Sequence, residues 1–215
     1  MARKRLTRQD SRGQTAERLL AAARRLIARR GLNAVSVENI AAAAGYTRGA
    51  FYSNFDDKED LFIELLRRDY EEPSLDLDAL CDNSVPLENL QRRFLEAYGR
   101  IYGSADVLVN WAEARMLAAR DPPFRARLND LIEPKRGEVA AFIQYAFRRI
   151  GKSPPLPPAT LAIGFMSLYE TAQLNTLSSS GQVSLDTPDF MLTAFIMDSI
   201  IGVATPRSAT SFEPL

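Results

Sequence analysis

The chain has 215 residues, of which 46% are hydrophobic and 25% are charged, a composition that fits a globular protein and excludes wholesale disorder. Its single cysteine excludes an internal disulfide framework, and the absence of histidine removes the usual general base and the familiar zinc sites. The formal net charge is zero, yet residues 1–58 hold twelve Lys or Arg against five Asp or Glu, a balance of +7.

This charge distribution is what we expect of a DNA-contacting head joined to a body that does not touch DNA. A basic helix that is merely solvated would give the same excess of Lys and Arg, so the charge alone does not establish DNA binding. The first twelve residues are basic and polar without an apolar run. We therefore expect no secretory signal, a cytoplasmic protein, and no metal or cofactor.

The first helix is predicted over residues 11–30, because apolar residues recur there at helical spacing and Gly31 follows a basic pair. Ser36 is the predicted N-cap of a second helix that turns Ile40 and Ala41 inward. The small residues 41–44 allow the next helix to cross closely.

A helix-turn-helix is predicted around Gly45, which supplies the left-handed backbone that a tight turn between two helices needs. Thr47 is the predicted N-cap of the third helix, over about 48–54. Phe51 and Phe55 lie four residues apart and can anchor this helix inward. The residues left to face outward are Thr47, Arg48, Ala50, Tyr52 and Ser53.

The rest of the chain also shows helical patterns, with no strand alternation and no repeat, so we predict an all-α fold of about nine helices. The predicted helices span about 57–70, 86–102, 105–120, 123–150 with a kink at Pro134, 158–178 and 188–204, and a polar linker covers 73–86. The helix over 86–102 is expected to bury Leu87, Leu90, Phe94, Tyr98 and Ile101.

The last two predicted helices are too apolar for the surface of a monomer. Residues 190–205 fall short of the roughly 20 residues that span a bilayer, and Asp198 interrupts them. A helix that is apolar on nearly every side must be covered on nearly every side. We therefore expect no membrane insertion and a homodimer through helices 158–178 and 188–204, as a four-helix bundle.

The strings AAARRLIARRG, VSVENIAAAAG, YTRGAFYSNF and DKEDLF, in this order, resemble the DNA-binding head of the TetR/AcrR family of bacterial repressors. The resemblance covers roughly a fifth of the chain. It implies a basic arm and helix-turn-helix domain over 1–58, a linking helix over 57–70, and an effector-binding and dimerisation domain over 71–215. It also implies a double-stranded DNA operator and a small-molecule effector as partners.

Carried over residue by residue, the resemblance makes 48–54 the recognition helix. Two positions depart from the family pattern, which often has histidine where Asn54 stands and a small aliphatic residue where Tyr46 stands. Tyr46 would then add a sugar or phosphate contact of its own. The implied base-facing residues are Thr47, Arg48, Gly49 and Ala50, and the implied backbone-gripping residues are Ser36, Tyr52, Asn54 and Lys58.

Each implied DNA contact has a plainer alternative. Arg48 is favoured for base readout over a phosphate contact, because a bidentate arginine–guanine pair discriminates between bases. Tyr52 is favoured for backbone contact over core packing. Lys58 opens a helix, where a cation opposes the dipole, so a phosphate partner is favoured over idle solvation. The arm Arg3–Lys4–Arg5–Arg8 either enters a minor groove or is a solvated tail.

An effector pocket is predicted between the body helices, where apolar and aromatic side chains at helical spacing surround a few polar groups. Core packing is the alternative for each of these residues. The predicted lining is Phe94, Tyr98, Asn110, Trp111, Glu113, Met116, Phe142, Tyr145, Phe165, Tyr169, Glu170 and Gln173.

Two other functions compete with a ligand-responsive repressor. In the first, the DNA-binding head is kept but the body binds a protein partner, without a small-molecule pocket. In the second, the chain is an enzyme that uses carboxylates such as Glu113 or Glu170, which the lack of histidine and of catalytic motifs disfavours. We therefore predict a regulator that is not an enzyme.

Overall fold

The computed structural model describes residues 8–71 and 75–178. Within these ranges it contains nine α-helices and no strand, which confirms the predicted all-α fold. The predicted helix over 188–204 and residues 3–5 of the basic arm lie outside the described residues. The helices are α1 (Arg8–Arg30), α2 (Val37–Ala43), α3 (Arg48–Tyr52), α4 (Lys58–Glu71), α5 (Leu77–Leu80), α6 (Leu87–Gly99), α7 (Ala105–Arg120), α8 (Pro122–Arg149) and α9 (Pro158–Ser178), with a 3-10 turn at Arg100–Tyr102.

Two details differ from the sequence predictions. The linker contains the short helix α5, because the Asp76 side chain accepts a hydrogen bond from Ala79 N and Leu80 is buried. Leu87, predicted to be buried, is 39% exposed at the first position of α6, so that prediction is wrong. The helix α8 continues through Pro134, and the kink predicted at this residue stays a prediction.

The described chain divides into two compact units. The first takes in α1 to α4 and residues 97–134, which include the 3-10 turn, α7 and the start of α8. The second takes in residues 76–96 and the chain from residue 135 onward, which include α5, most of α6, the rest of α8, and α9. The predicted boundary between head and body near residue 70 stays a prediction.

Aromatic side chains build the core of the first unit. Phe62 of α4 stacks on Phe124 of α8 with ring centroids 6.0 Å apart, and Tyr70 packs on Trp111 at 4.7 Å. Each such buried side chain contributes about 2 kcal/mol by leaving water. These contacts hold α4 against α7 and the start of α8.

A buried ion pair joins α1 to α4. The Arg24 guanidinium bonds the Asp69 carboxylate, whose side chain is only 3% exposed, and the Asn110 side-chain amide donates to the Arg24 carbonyl oxygen at 3.1 Å. A buried charge is tolerated when it is paired and hydrogen-bonded. Since Arg24, Asp69 and Asn110 come from three helices, the cluster fixes α1, α4 and α7 to one another.

None of the helices α1 to α9 in the described part of the chain is both long enough and apolar enough to cross a membrane.

We expect Asp69→Ala to lower the free energy of unfolding by about 2 kcal/mol, because the Arg24 charge loses its partner while staying partly buried. Urea unfolding followed by circular dichroism measures this change. Asp130→Ala, at an exposed position of α8 in the same unit, is the control and should shift the midpoint little. Equal midpoints for the two variants would contradict a stabilising role for the pair.

Candidate nucleic-acid interface

The turn between α2 and α3 is closed by the backbone itself. Gly45 has a φ of +78°, in the left-handed region that favours glycine. Tyr46 N donates to Ala41 O at 2.8 Å, and Gly45 N donates to Ala42 O at 3.0 Å. These two bonds form a Schellman motif, which satisfies the last carbonyls of α2. The predicted role of Gly45 is therefore confirmed.

Polar side chains fix the first turns of both helices. Ser36 and Asn39 form a reciprocal capping box, with Asn39 N donating to Ser36 Oγ at 3.1 Å and Ser36 N donating to Asn39 Oδ1 at 3.2 Å. Thr47 Oγ1 accepts from Ala50 N at 3.4 Å. Both predicted N-caps are confirmed. A cap of this kind contributes about 1 kcal/mol to helix stability.

The orientation of α3 follows from its two phenylalanines. Phe51 is fully buried and Phe55 nearly so, and their rings lie 5.7 Å apart. With this side anchored, the opposite side of α3 is left to solvent. There Thr47, Arg48, Gly49, Tyr52 and Ser53 are exposed, while Tyr46, Ala50 and Asn54 are half-buried.

The helix α3, the predicted recognition helix, ends two residues earlier than predicted, at Tyr52. Two side chains fold back onto its last carbonyls: Ser53 Oγ donates to Gly49 O at 2.9 Å, and Asn54 Nδ2 donates to Ala50 O at 2.8 Å. These bonds close the helix and occupy one donor of Asn54. The Asn54 carbonyl oxygen and its second amide proton are the groups it could offer to DNA.

Arg48, at the first position of α3, contacts two other side chains of the protein, which the sequence analysis did not predict. Its Nη1 lies 3.0 Å from Glu38 Oε1, its Nη2 donates to Tyr52 Oη at 3.5 Å, and its Cζ lies 5.4 Å from the centre of the Tyr52 ring. The hydrogen bond to Tyr52 and then the charge of Glu38 raise the pKa of Arg48. Hydrogen bonds from its own backbone and from the Ser36 side chain, followed by the charge of Arg48, lower the pKa of Glu38.

Glu38 is the residue of this surface that the sequence reading missed. The sequence did contain a signal for this ion pair, because Glu38 is the one acidic residue of 36–55. It lies in the first turn of α2, ten positions before Arg48.

Lys58 is half-buried, and its ammonium donates hydrogen bonds to two backbone carbonyl groups of the same compact unit. Its Nζ donates to Leu32 O at 3.0 Å and to Val35 O at 3.4 Å, both in the loop between α1 and α2. The carbonyl partners offset the unfavourable position of a cation at a helix start. The phosphate contact implied for Lys58 stays a prediction, and the ammonium's third proton is the one left for it.

A second side chain holds the same loop from the other direction. Glu113 Oε1 of α7 accepts a hydrogen bond from Leu32 N at 2.8 Å. Gly31, just before Leu32, has a φ of +74°, and a Cβ added to it would meet Glu113 Oε1 at 3.2 Å. The backbone conformation therefore favours glycine here, and a Cβ would also require the Glu113 carboxylate to move by a few tenths of an ångström. Glu113, predicted to line an effector pocket, contacts the head through this loop.

The residues predicted to line the pocket are divided between the two compact units. In the first unit Tyr98, Asn110 and Trp111 are buried, whereas Met116 is 52% exposed. Within the described residues, Asn110 Oδ1 and Trp111 Nε1 are buried polar atoms without a hydrogen-bond partner. Leaving such atoms unpaired costs free energy, and the effector pocket predicted around them stays a prediction.

In the second unit four of the predicted residues form an aromatic cluster. Phe94 stacks on Phe142 with centroids 3.9 Å apart and planes 7° apart, and Phe165 packs on Phe94 at 5.2 Å and on Tyr169 at 5.9 Å. All four side chains are buried, while Glu170 and Gln173 are half-buried.

Tyr145, also predicted to line the pocket, bonds a loop in the second unit. Its hydroxyl donates to Asn83 Oδ1 at 3.3 Å and accepts from Arg149 Nη1 at 2.6 Å. Arg149 in turn donates to Val85 O at 3.0 Å. These bonds fasten the loop between α5 and α6 to α8.

Comparison with known proteins agrees with this geometry. Residues 19–65 match the family model for bacterial regulatory proteins of the tetR family. The chain is 46% identical over 65 residues to the transcriptional regulator AcrR of Shigella flexneri, a match that covers 30% of this chain and 29% of that protein. It is 35% identical over 104 residues to the repressor KstR2 of Mycobacterium tuberculosis, covering 47% of this chain and 52% of that protein. These matches thus span from under a third to about half of the curated relatives.

The fold resembles solved structures over a much longer stretch. The regulator FadR from Bacillus subtilis, solved in complex with stearoyl-CoA, superposes with a TM-score of 0.73 at 14% identity, covering 86% of this chain and 98% of that one. At such identity the likeness concerns the fold alone. The match over residues 19–65 shows that this segment is similar to the helix-turn-helix head of the tetR family of bacterial regulatory proteins, and the solved structure shows that the chain shares its fold with a transcriptional regulator.

Proposed function

We propose that this chain is a homodimeric, sequence-specific repressor that a small, largely apolar effector releases from a palindromic operator. The observation that carries the proposal is the exposed side of α3. Caps at Ser36 and Thr47 and the buried Phe51 hold Arg48 and Tyr52 outward at the start of a helix that follows a tight turn. A recognition helix reads base edges with its amino-terminal residues in this way.

The surface of α9 supports dimerisation. Glu170 is the one charged residue in this helix of 21 residues. Its exposed positions combine the apolar Ile163 and Leu168 with the small polar Ser167 and Thr171. An exposed helical side almost without charge is typical of an interface core. A two-fold pair of heads would then read half-sites about 34–36 Å apart, or a multiple of that spacing.

The contacts of α7 support control of the head by an effector. Glu113 of this helix bonds the loop that leads into α2, and Asn110 bonds the carbonyl of Arg24 in α1. Next to them, Trp111 packs on Tyr70 of α4. A ligand that shifted α7 would therefore act on both α1 and α4, so α7 joins α4 as a candidate lever. The required coupling is about 1–3 kcal/mol between two states of the dimer.

The chemistry of the effector is suggested by the fold relative FadR, whose solved complex contains stearoyl-CoA. A long acyl chain is the kind of ligand that an aromatic-rich helical body can enclose. A regulator whose body binds a protein partner instead would respond to no such ligand.

We expect Arg48→Ala to lower the preference for the operator over a scrambled duplex by about tenfold, because a bidentate guanine contact is lost. The preferred duplex is first selected from a random pool with the unmodified protein, and affinities are then measured by fluorescence anisotropy. Arg125→Ala, at an exposed position of α8, is the matched control and should keep the preference. An equal loss on both duplexes would identify Arg48 as a phosphate contact.

We expect Thr171→Arg to dissociate the dimer, because it places a charge in the middle of the exposed side of α9. Sedimentation velocity at micromolar concentration should show a monomer for this variant and a dimer for the unmodified protein. Asn129→Arg, at an exposed position of α8, should remain dimeric. If the unmodified protein sediments as a monomer, the proposed dimer is wrong.

We expect stearoyl-CoA to change the fluorescence of Trp111, the single tryptophan of the chain, and to weaken operator binding over the same concentration range. Coenzyme A without an acyl chain is the control and should do neither. A titration that alters the fluorescence of Trp111 but leaves operator affinity unchanged would rule out release by this ligand.

A further inference from the structure

The helix-turn-helix contains one acidic and one basic residue. Between Ser36 and Phe55 these are Glu38 and Arg48, so this segment contributes no net charge to the attraction of DNA. Glu38 lies in the first turn of α2 and Arg48 opens α3, and the structure pairs them at 3.0 Å. The basic balance of residues 1–58 therefore comes from outside the helix-turn-helix.

The Arg48 guanidinium is held from two directions. Glu38 Oε1 lies 3.0 Å from Nη1 in an ion pair, while Tyr52 Oη accepts a hydrogen bond from Nη2 at 3.5 Å and the centre of the Tyr52 ring lies 5.4 Å from Cζ. A guanidinium has five N–H donors, so these partners leave enough for the two bonds that guanine O6 and N7 accept. The side chain can thus read a base without giving up either partner.

This ion pair is of little use to the stability of the fold. The side chains of Arg48 and Glu38 are 65% and 55% exposed, and exposed ion pairs contribute little net stability. The ion pair instead affects which groups of DNA the Arg48 guanidinium can contact. An unpaired arginine contacts phosphates of any sequence, whereas a paired one approaches a phosphate only by bringing a carboxylate towards it or by breaking the pair.

We propose that Glu38 is a specificity-determining residue, whose carboxylate positions the Arg48 guanidinium for guanine and opposes its contact with phosphates. This inference rests on the proposed function, because it assumes that α3 reads base edges. It assigns discrimination to the Glu38–Arg48 pair and general attraction to the basic residues outside the helix-turn-helix. Specificity then increases by weakening wrong complexes as well as by strengthening the right one.

The test is Glu38→Gln, which keeps the shape and an acceptor oxygen but removes the charge. Affinities are measured for the duplex selected by the unmodified protein and for a scrambled duplex over a range of salt concentrations. We expect affinity to fall about threefold on the selected duplex and to rise about threefold on the scrambled one, so the preference drops about tenfold. The salt dependence on the scrambled duplex should steepen by about 0.9, because Arg48 gains a phosphate.

Two comparisons separate this role from a general charge effect. Glu71→Gln removes the same charge from an exposed position at the end of α4 and should change neither the preference nor the salt dependence. In an Arg48→Ala background, Glu38→Gln should no longer alter the preference, because there is no guanidinium to position.

The outcomes that would overturn the inference are distinct from those that would overturn the proposed function. Suppose that the unmodified protein selects a sequence and that the Glu38→Gln variant binds both duplexes with the same affinities as the unmodified protein. The inference is then wrong and the proposed function stands. The inference is also wrong if Glu38→Gln keeps its full effect in the Arg48→Ala background, since Glu38 would then act alone. If the unmodified protein selects no sequence at all, the proposed function fails and the inference fails with it.

Discussion

The peptide of Leu32 bonds the loop that precedes the helix-turn-helix to two other helices of the first compact unit. Its N–H donates to Glu113 of α7, and its carbonyl accepts from Lys58 at the start of α4. This one residue of the loop between α1 and α2 is thus bonded to two other helices. Because Ser36 caps α2 only four positions later, these two bonds hold the chain just where the helix-turn-helix begins.

The local part of this arrangement could be read from the sequence. Ser36, Gly45 and Thr47 each act within a few residues of themselves, through a cap or a backbone conformation that their chemistry favours. The spacing of Phe51 and Phe55 likewise fixed which side of α3 faces inward. These signals are short-range, so the caps, the turn and the inward side of α3 were predictable from the sequence.

The long-range part could not be read in the same way. Glu113 and Leu32 are 81 positions apart, and nothing in the pattern of α7 distinguishes a carboxylate that bonds a distant loop from one that lines a pocket. Lys58 is similar, because its carbonyl partners lie in a loop 26 and 23 positions earlier. Leu87 was misjudged for another reason, since helical spacing gives the apolar side of a helix but not where along it the burial begins.

Under the proposed function, attraction to DNA and choice among sequences depend on different residues. The positive charge of the amino-terminal part lies mainly in the arm and α1, while the helix-turn-helix is neutral through the Glu38–Arg48 pair. Charge outside the recognition surface raises the rate of encounter without favouring a sequence. Under the proposed function, affinity could therefore change through α1 without altering which operator is read.

The hydrogen bonds from α7 to the head also determine which segments of the chain could be exchanged with those of a relative in a chimeric protein. A chimera joined just after α4 would give the grafted Leu32 amide and Arg24 carbonyl a foreign α7, with no assurance of a carboxylate or an amide in reach. The segment that must travel with the head includes Asn110 and Glu113. The unit of recombination that preserves this architecture is consequently discontinuous along the chain.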